Sequence, residues 1–81
     1  MRLPRDLTGQ QLAKALAKLG YVVDRQAGSH LRLTTHESGV HHVTVPNHSP
    51  IKIGTLNAIL RDIAEHFGIS RDDLIAQLFA K

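Results

Sequence analysis

The first clear hydrophobic pattern along the chain is helical. Three leucines are spaced four and three residues apart, as on one face of an α-helix: Leu12, Leu16 and Leu19. Thr8 is followed three residues later by Gln11, which matches the capping box that begins many helices. Gly20 stands where a left-handed residue commonly ends a helix. The pattern therefore predicts a helix over residues 8–19.

In the middle of the chain the hydrophobic period changes from helical to alternating. The segment 30–35 alternates strictly, with Leu31 and Leu33 on one side of a predicted strand. The segment 41–45 alternates in the same way, and the segment 21–26 begins with β-branched and aromatic residues that favour a strand. Short turns containing glycine separate the three segments. They therefore predict an antiparallel meander.

Two further helical stripes follow the predicted strands. The longer one comes after residues 52–55 and ends at Gly68, and a shorter one follows a cap at Ser70. The order α-β-β-β-α, with an extra short C-terminal helix, predicts an α+β fold with a three-stranded antiparallel sheet. The helices must bury their apolar stripes against the sheet face that carries Leu31 and Leu33, so the other face stays open to water. We expect a single domain over residues 1–81.

Composition excludes several classes of function. The 81 residues include no cysteine, which rules out disulfides, thiolate zinc sites and cysteine nucleophiles. One Tyr, two Phe and no Trp leave little aromatic surface for stacking bases. No segment approaches the roughly 20 apolar residues of a membrane span, so we expect a cytoplasmic protein with no membrane partner. A formal net charge of +3 mildly favours a polyanionic partner.

The open face of the predicted sheet concentrates polar side chains. Alternation places three polar residues of the central segment on this face: His30, Arg32 and Thr34. The same rule places His42 and Thr44 beside them on the neighbouring strand. Whether Arg25 joins them depends on the register of the first strand, which the sequence leaves open. Imidazole, guanidinium and hydroxyl groups suit a phosphodiester better than an apolar ligand.

Three short segments resemble the HicA toxin family. They are residues 25–30 ending in Gly-Ser-His, residues 43–48 with Val-Pro-Asn-His, and residues 52–56 with Gly-Thr-Leu. With the predicted order of elements, the resemblance extends from the first helix to about Leu78. HicA toxins are mRNA interferases of HicA–HicB toxin–antitoxin modules, with a fold similar to the double-stranded-RNA-binding domain. The resemblance implies a metal-independent endoribonuclease without a cofactor, with mRNA and a HicB-type antitoxin as partners and no DNA binding of its own.

The resemblance assigns catalysis to one histidine, which is His30 in this sequence. RNA carries its own nucleophile, the 2′-hydroxyl, and an imidazole can take its proton or protonate the leaving oxygen near neutral pH. The supporting or RNA-binding residues that we expect are Gly28, Ser29, Arg32, Arg25, Lys52 and His48. Arg32 and Lys52 would stabilise phosphoryl charge, and Gly28 would let the backbone approach the substrate. His48 either supports its loop or positions the substrate.

Other residues have competing interpretations. Gly54 and Thr55 could offer helix N-terminal amides to a phosphate, or Thr55 could simply cap the helix. His41 and His42 are adjacent in a strand and point to opposite faces, so they cannot both bind one ion, and we expect no metal site.

A non-catalytic RNA-binding module of the double-stranded-RNA-binding type is the alternative function. Such a module needs a dense basic cluster at the start of its last helix, whereas residues 52–61 carry only two positive charges. A purely protein-binding domain would show no RNA affinity at low ionic strength. The sequence therefore favours the nuclease.

Overall fold

A computed structural model of the protein describes residues 3–80, which form three helices and three strands. In chain order the elements are α1 (Gly9–Leu16), a 3₁₀ turn (Ala17–Leu19), β1 (Val22–Ala27), β2 (His30–Thr35), β3 (His41–Pro46), α2 (Ile53–Phe67) and α3 (Arg71–Phe79). The strands form one antiparallel sheet in the order β1-β2-β3. The predicted α-β-β-β-α order with an extra C-terminal helix, similar to the double-stranded-RNA-binding domain, is confirmed.

The start of α1 is a complete capping box, as predicted. The Gln11 amide donates to the Thr8 hydroxyl at 3.1 Å, and the Thr8 amide donates to the Gln11 side-chain oxygen at 3.0 Å. The predicted helix over residues 8–19 is α-helical only to Leu16 and tightens into the 3₁₀ turn before Gly20, which is left-handed with φ 81°.

Helices α1 and α2 pack on one face of the sheet, and α3 packs against these two helices. The sheet residues buried beneath them are Leu31, Leu33, Val43 and Val45. The helices contribute their apolar stripes to this core, including the fully buried Leu12, Leu16, Leu60, Ile63, Leu74 and Ile75. Each such side chain stabilises the fold by about 1.5–3 kcal/mol through its removal from water. The opposite sheet face carries no helix within residues 3–80. No helix in this part of the chain has the length and apolarity of a membrane span.

A β-bulge in β1 settles the register that the sequence left open. Val23 pairs with Leu33 and Arg25 pairs with Arg32, so Asp24 is an extra residue in β1. Because directly paired residues of antiparallel strands share a face, Arg25 lies on the open face with Arg32.

Candidate active site

An open cleft of about 420 Å³ lies at the end of the sheet where β2 begins and β3 ends. Its lining residues are His30, Pro46, His48, Ser49, Pro50, Lys52 and Thr55. The cleft therefore combines a strand residue, a loop and the first turn of α2. It brings together three of the predicted site residues, namely His30, His48 and Lys52.

His30 stands at the entrance of β2 with its imidazole exposed. It pairs with Pro46 across the sheet, which also lines the cleft. Among residues 3–80 the structure gives the imidazole no hydrogen-bond partner, so both ring nitrogens are accessible to a substrate. Gly28, two residues before His30, has φ +57° and open space where a Cβ would lie. The left-handed backbone of the tight turn therefore explains why a glycine stands at this position.

The loop that carries His48 is fixed by backbone hydrogen bonds at both ends. The Asn47 amide donates to the Ser29 carbonyl at 2.6 Å, and the Ile51 amide donates to the Leu7 carbonyl at 2.8 Å. Between them, the Gly9 amide donates to the carbonyl of His48 itself at 3.0 Å. Ser29 thus contributes to the site through its carbonyl. The loop holds His48 near His30 without depending on the His48 side chain.

The close approach of α1 to this loop requires a glycine at position 9. A Cβ at Gly9 would lie 2.2 Å from the Pro46 carbonyl oxygen and 2.9 Å from the Asn47 Cα. Sequence reasoning missed this contact, because Gly9 looks like an ordinary first-turn residue next to a good cap. The only signal was a glycine at a helical position that favours other residues.

The first turn of α2 opens on the cleft without a side-chain cap. The N-cap residue is Lys52, whose side chain makes no capping hydrogen bond, and the helix begins at Ile53. Thr55 is inside the first turn and lines the cleft, so the interpretation of Thr55 as the cap is wrong. Helix N-termini attract anions through their amides and the helix dipole. The geometry is compatible with a phosphate near Lys52.

Arg25 and Arg32 lie outside the cleft, in a second polar cluster on the open sheet face. We call this cluster the open-face patch; its residues are Asp24, Arg25, Arg32, Thr34 and His42. Arg32 Nε lies 3.7 Å from Asp24 Oδ1, and the hydroxyl of Thr34 donates to Asp24 Oδ2 at 2.5 Å. The Thr34 hydrogen bond, helped by the positive charge of Arg32, holds the pKa of Asp24 below its usual value. Of the predicted site residues, the structure thus separates the two arginines from His30, His48 and Lys52.

His41 belongs to a different network on the helix-covered side, opposite to His42 as predicted. The Tyr21 hydroxyl lies 2.7 Å from His41 Nδ1, and His41 Nε2 lies 3.3 Å from Asp62 Oδ1. Burial, with Asp62 nearby, raises the pKa of Tyr21 to about 12, so its hydroxyl keeps the proton. The His41 ring also stacks on His66 with centroids 4.4 Å apart. This network joins β3 to α2.

No group of three or more His, Asp or Glu side chains within residues 3–80 is arranged to hold a metal ion. In the comparison with protein-family models, the family described as HicA toxin of bacterial toxin-antitoxin matches residues 9–64. This segment runs from α1 through most of α2 and includes every residue that lines the cleft. Neither the curated proteins nor the solved structures gave a significant match. Because the family model covers more than half of the 81 residues, the chain belongs to the HicA family of bacterial toxin–antitoxin toxins.

Proposed function

We propose that this protein is a metal-independent endoribonuclease that cleaves mRNA and that a HicB-type antitoxin neutralises. The observation that carries the proposal is the accessible imidazole of His30 in one cleft with His48 and Lys52. Family membership supports the role of a toxin with a partner antitoxin. Because mRNA is the proposed substrate, we expect the protein to act in the cytoplasm.

In the proposed reaction, His30 is the general base. Its neutral imidazole takes the proton of a ribose 2′-hydroxyl, and the 2′-oxygen attacks the adjacent phosphorus. The bond from phosphorus to the 5′-oxygen breaks, and that oxygen accepts a proton. The products are a 2′,3′-cyclic phosphate on one fragment and a 5′-hydroxyl on the other.

The rest of the cleft offers groups for the other requirements of this reaction. His48 is the second imidazole in the cleft, and we assign it the proton donated to the leaving 5′-oxygen. Lys52 and the uncapped first turn of α2 would stabilise the charge that develops on the non-bridging phosphoryl oxygens. Arg32 and Arg25 would contact RNA beyond the cleft.

The direct test replaces His30 by alanine and compares RNA cleavage by the purified variant and the wild type. Loss of general acid–base catalysis lowers rates by about 10²–10⁴-fold, so we expect a loss in this range. His36→Ala is the matched control, because His36 is exposed beyond the end of β2 and does not line the cleft. Cleavage should persist in the presence of EDTA. Undiminished cleavage by the His30→Ala variant would contradict the proposal, and salt-sensitive RNA binding without products would favour a non-catalytic module.

A substrate with a better leaving group separates the two histidines. A nucleoside 3′-aryl phosphate has a phenolate leaving group that needs no proton donor. We expect the His48→Ala variant to regain most of its activity on this substrate, whereas the His30→Ala variant should stay impaired, because the 2′-hydroxyl must still lose its proton. Equal impairment of both variants on the aryl substrate would refute the assignment of His48 as the acid.

A further inference from the structure

The distances within the open-face patch show which group donates each of its hydrogen bonds. Thr34 has one hydroxyl proton, which it donates to Asp24. The same hydroxyl oxygen lies 2.7 Å from His42 Nδ1, so it must accept a proton from that nitrogen. Asp24 and Thr34 therefore fix the ring of His42 with Nδ1 protonated. The Nε2 atom of His42, which is exposed, is left for a ligand, and it donates to a phosphate when the ring carries a proton on both nitrogens.

The guanidinium of Arg32 is held only weakly by its neighbours in the patch. Arg32 Nη2 lies 3.4 Å from His42 Nδ1, but both atoms carry protons, so this contact is not a hydrogen bond. Within residues 3–80, the remaining contact of the guanidinium is the ion pair with Asp24. The side chains of Arg32 and Asp24 are 45% and 42% exposed. Exposed ion pairs contribute little to stability. The guanidinium of Arg32 therefore keeps N–H donors that an anion can engage.

Charge and position point to an anionic ligand on this face. The bulge at Asp24 brings Arg25 opposite Arg32, so two arginines and one histidine share this face with a single carboxylate. The patch lies on the sheet face that the helices leave open. It is built from adjoining residues of all three strands and is exposed apart from Thr34, which is 9% exposed.

We propose that the open-face patch is an RNA subsite in which Arg25, Arg32 and His42 bind phosphates of the strand that leaves the cleft. Asp24 and Thr34 are positioning residues, because they act through the ring of His42. This inference rests on the proposed nuclease function and adds a second point of contact to it. The ligand chemistry is the phosphodiester backbone, so the subsite should show little base preference.

Distance separates His42 from the scissile phosphate. His42 pairs with Thr34, which lies four residues beyond His30 along β2. At about 3.3 Å per residue this separation is about 13 Å, too far for His42 to act on the phosphate at His30. At about 3.4 Å per stacked nucleotide, it corresponds to about four nucleotides. A short RNA in the cleft should not reach His42, whereas a longer one should.

RNA length is therefore the variable that tests the inference. The probes are 2′-O-methyl RNAs of about three and about twelve nucleotides, which lack the 2′-hydroxyl nucleophile and stay uncut. NMR titration of the full chain measures their affinities, including weak ones. We expect Arg32→Ala and His42→Ala each to weaken binding of the long RNA by about tenfold, and we expect His42→Ala to leave binding of the short RNA unchanged. The salt slope for the long RNA should fall by about 0.7 for each lost phosphate contact.

Matched variants separate a built subsite from general charge attraction. Arg61→Ala removes an exposed arginine near the groove between α2 and α3 and should leave both affinities unchanged. Thr34→Val should weaken long-RNA binding although His42 is still present, and Thr34→Ser, which keeps the hydroxyl, should restore it. Thr44→Val controls for a change of surface polarity on the same face.

The outcomes are distinct from those of the active-site test. Equal losses for short and long RNA in His42→Ala, or an equal loss in Arg61→Ala, would overturn the subsite. Intact affinity for long RNA combined with weaker binding of the HicB-type antitoxin would assign the patch to protein docking and overturn it as well. Cleavage that survives His30→Ala would instead refute the nuclease and leave the length-dependent binding result standing.

Discussion

Replacing Gly9 by alanine tests whether the start of α1 positions the loop that carries His48. Gly9 does not have the left-handed backbone that requires glycine, so alanine here would ordinarily stabilise the helix by about 0.5–1 kcal/mol. In this protein the added Cβ would lie 2.2 Å from the Pro46 carbonyl oxygen and 2.9 Å from the Asn47 Cα. Both obstacles are backbone atoms, so no side-chain rotation can relieve the clash. Helix propensity thus predicts that Gly9→Ala is stabilising, whereas the clash predicts that it is destabilising.

The magnitude follows from the distance by which the backbones must separate. The gap to Pro46 must widen from 2.2 Å to at least 3.0 Å, which moves the loop away from α1. Overpacking of this kind costs about 1–3 kcal/mol. Weakening the hydrogen bond from the Gly9 amide to the His48 carbonyl adds about 0.5–1.5 kcal/mol. After the gain in helix propensity, we expect a net destabilisation of about 1–3 kcal/mol.

Urea denaturation of Gly9→Ala, with Gly54→Ala as the control, measures the stability change. Gly54 also lies in the first turn of a helix, but a Cβ there would meet no atom within 4 Å, so alanine should stabilise by about 0.5–1 kcal/mol. A displacement of about 1 Å at a catalytic group can lower activity by about 100-fold, so Gly9→Ala should also cleave RNA poorly while folded. A stability gain in Gly9→Ala matching that of Gly54→Ala would refute the reasoning.

Further predictions concern the polar networks and the helix cap. Tyr21 is the only tyrosine, and its folded pKa of about 12 exceeds its usual 10.0, so an absorbance titration should read it directly. Its contribution to stability is present below pH 10 and is lost as the pH rises towards 12, by up to about 2–3 kcal/mol, and urea denaturation of Tyr21→Phe should lack this loss. The lowered pKa of Asp24 stabilises the fold above the normal carboxyl range and is lost in acid, so the stability of Asp24→Asn should fall less on acidification. Thr8→Ala removes the capping box and should cost about 1 kcal/mol in the same assay.

The elements of the fold were predictable because their signals are local. The capping box at Thr8 and the alternation in 30–35 depend on residues within a few positions of each other, and both are confirmed. The boundary errors are also local in origin. The first helix tightens into a 3₁₀ turn at its end, and β1 begins one residue later than predicted, because Tyr21 turns into the core.

The geometry of the site was less predictable because it depends on contacts distant in sequence. The bulge at Asp24 arises from the pairing of β1 with β2, and no local residue pattern predicts it. Thr34 lies on the open face as predicted, yet it is nearly buried, because Asp24 and His42 close over it from the two neighbouring strands. The contact between Gly9 and the loop likewise joins segments that only the folded chain brings together.

The residues that stabilise the fold are buried, whereas those proposed to act on RNA are exposed. The helices bury one face, while His30, His48 and Lys52 are exposed and contribute no apolar surface to the core. Substituting these side chains should therefore change stability by no more than about 0.5 kcal/mol, as is usual for surface positions. Their relative placement, in contrast, depends on backbone hydrogen bonds between the loop, Leu7 and Gly9. Activity should consequently be lost in two distinguishable ways, at the proposed catalytic side chains without unfolding and at the α1 contact together with stability.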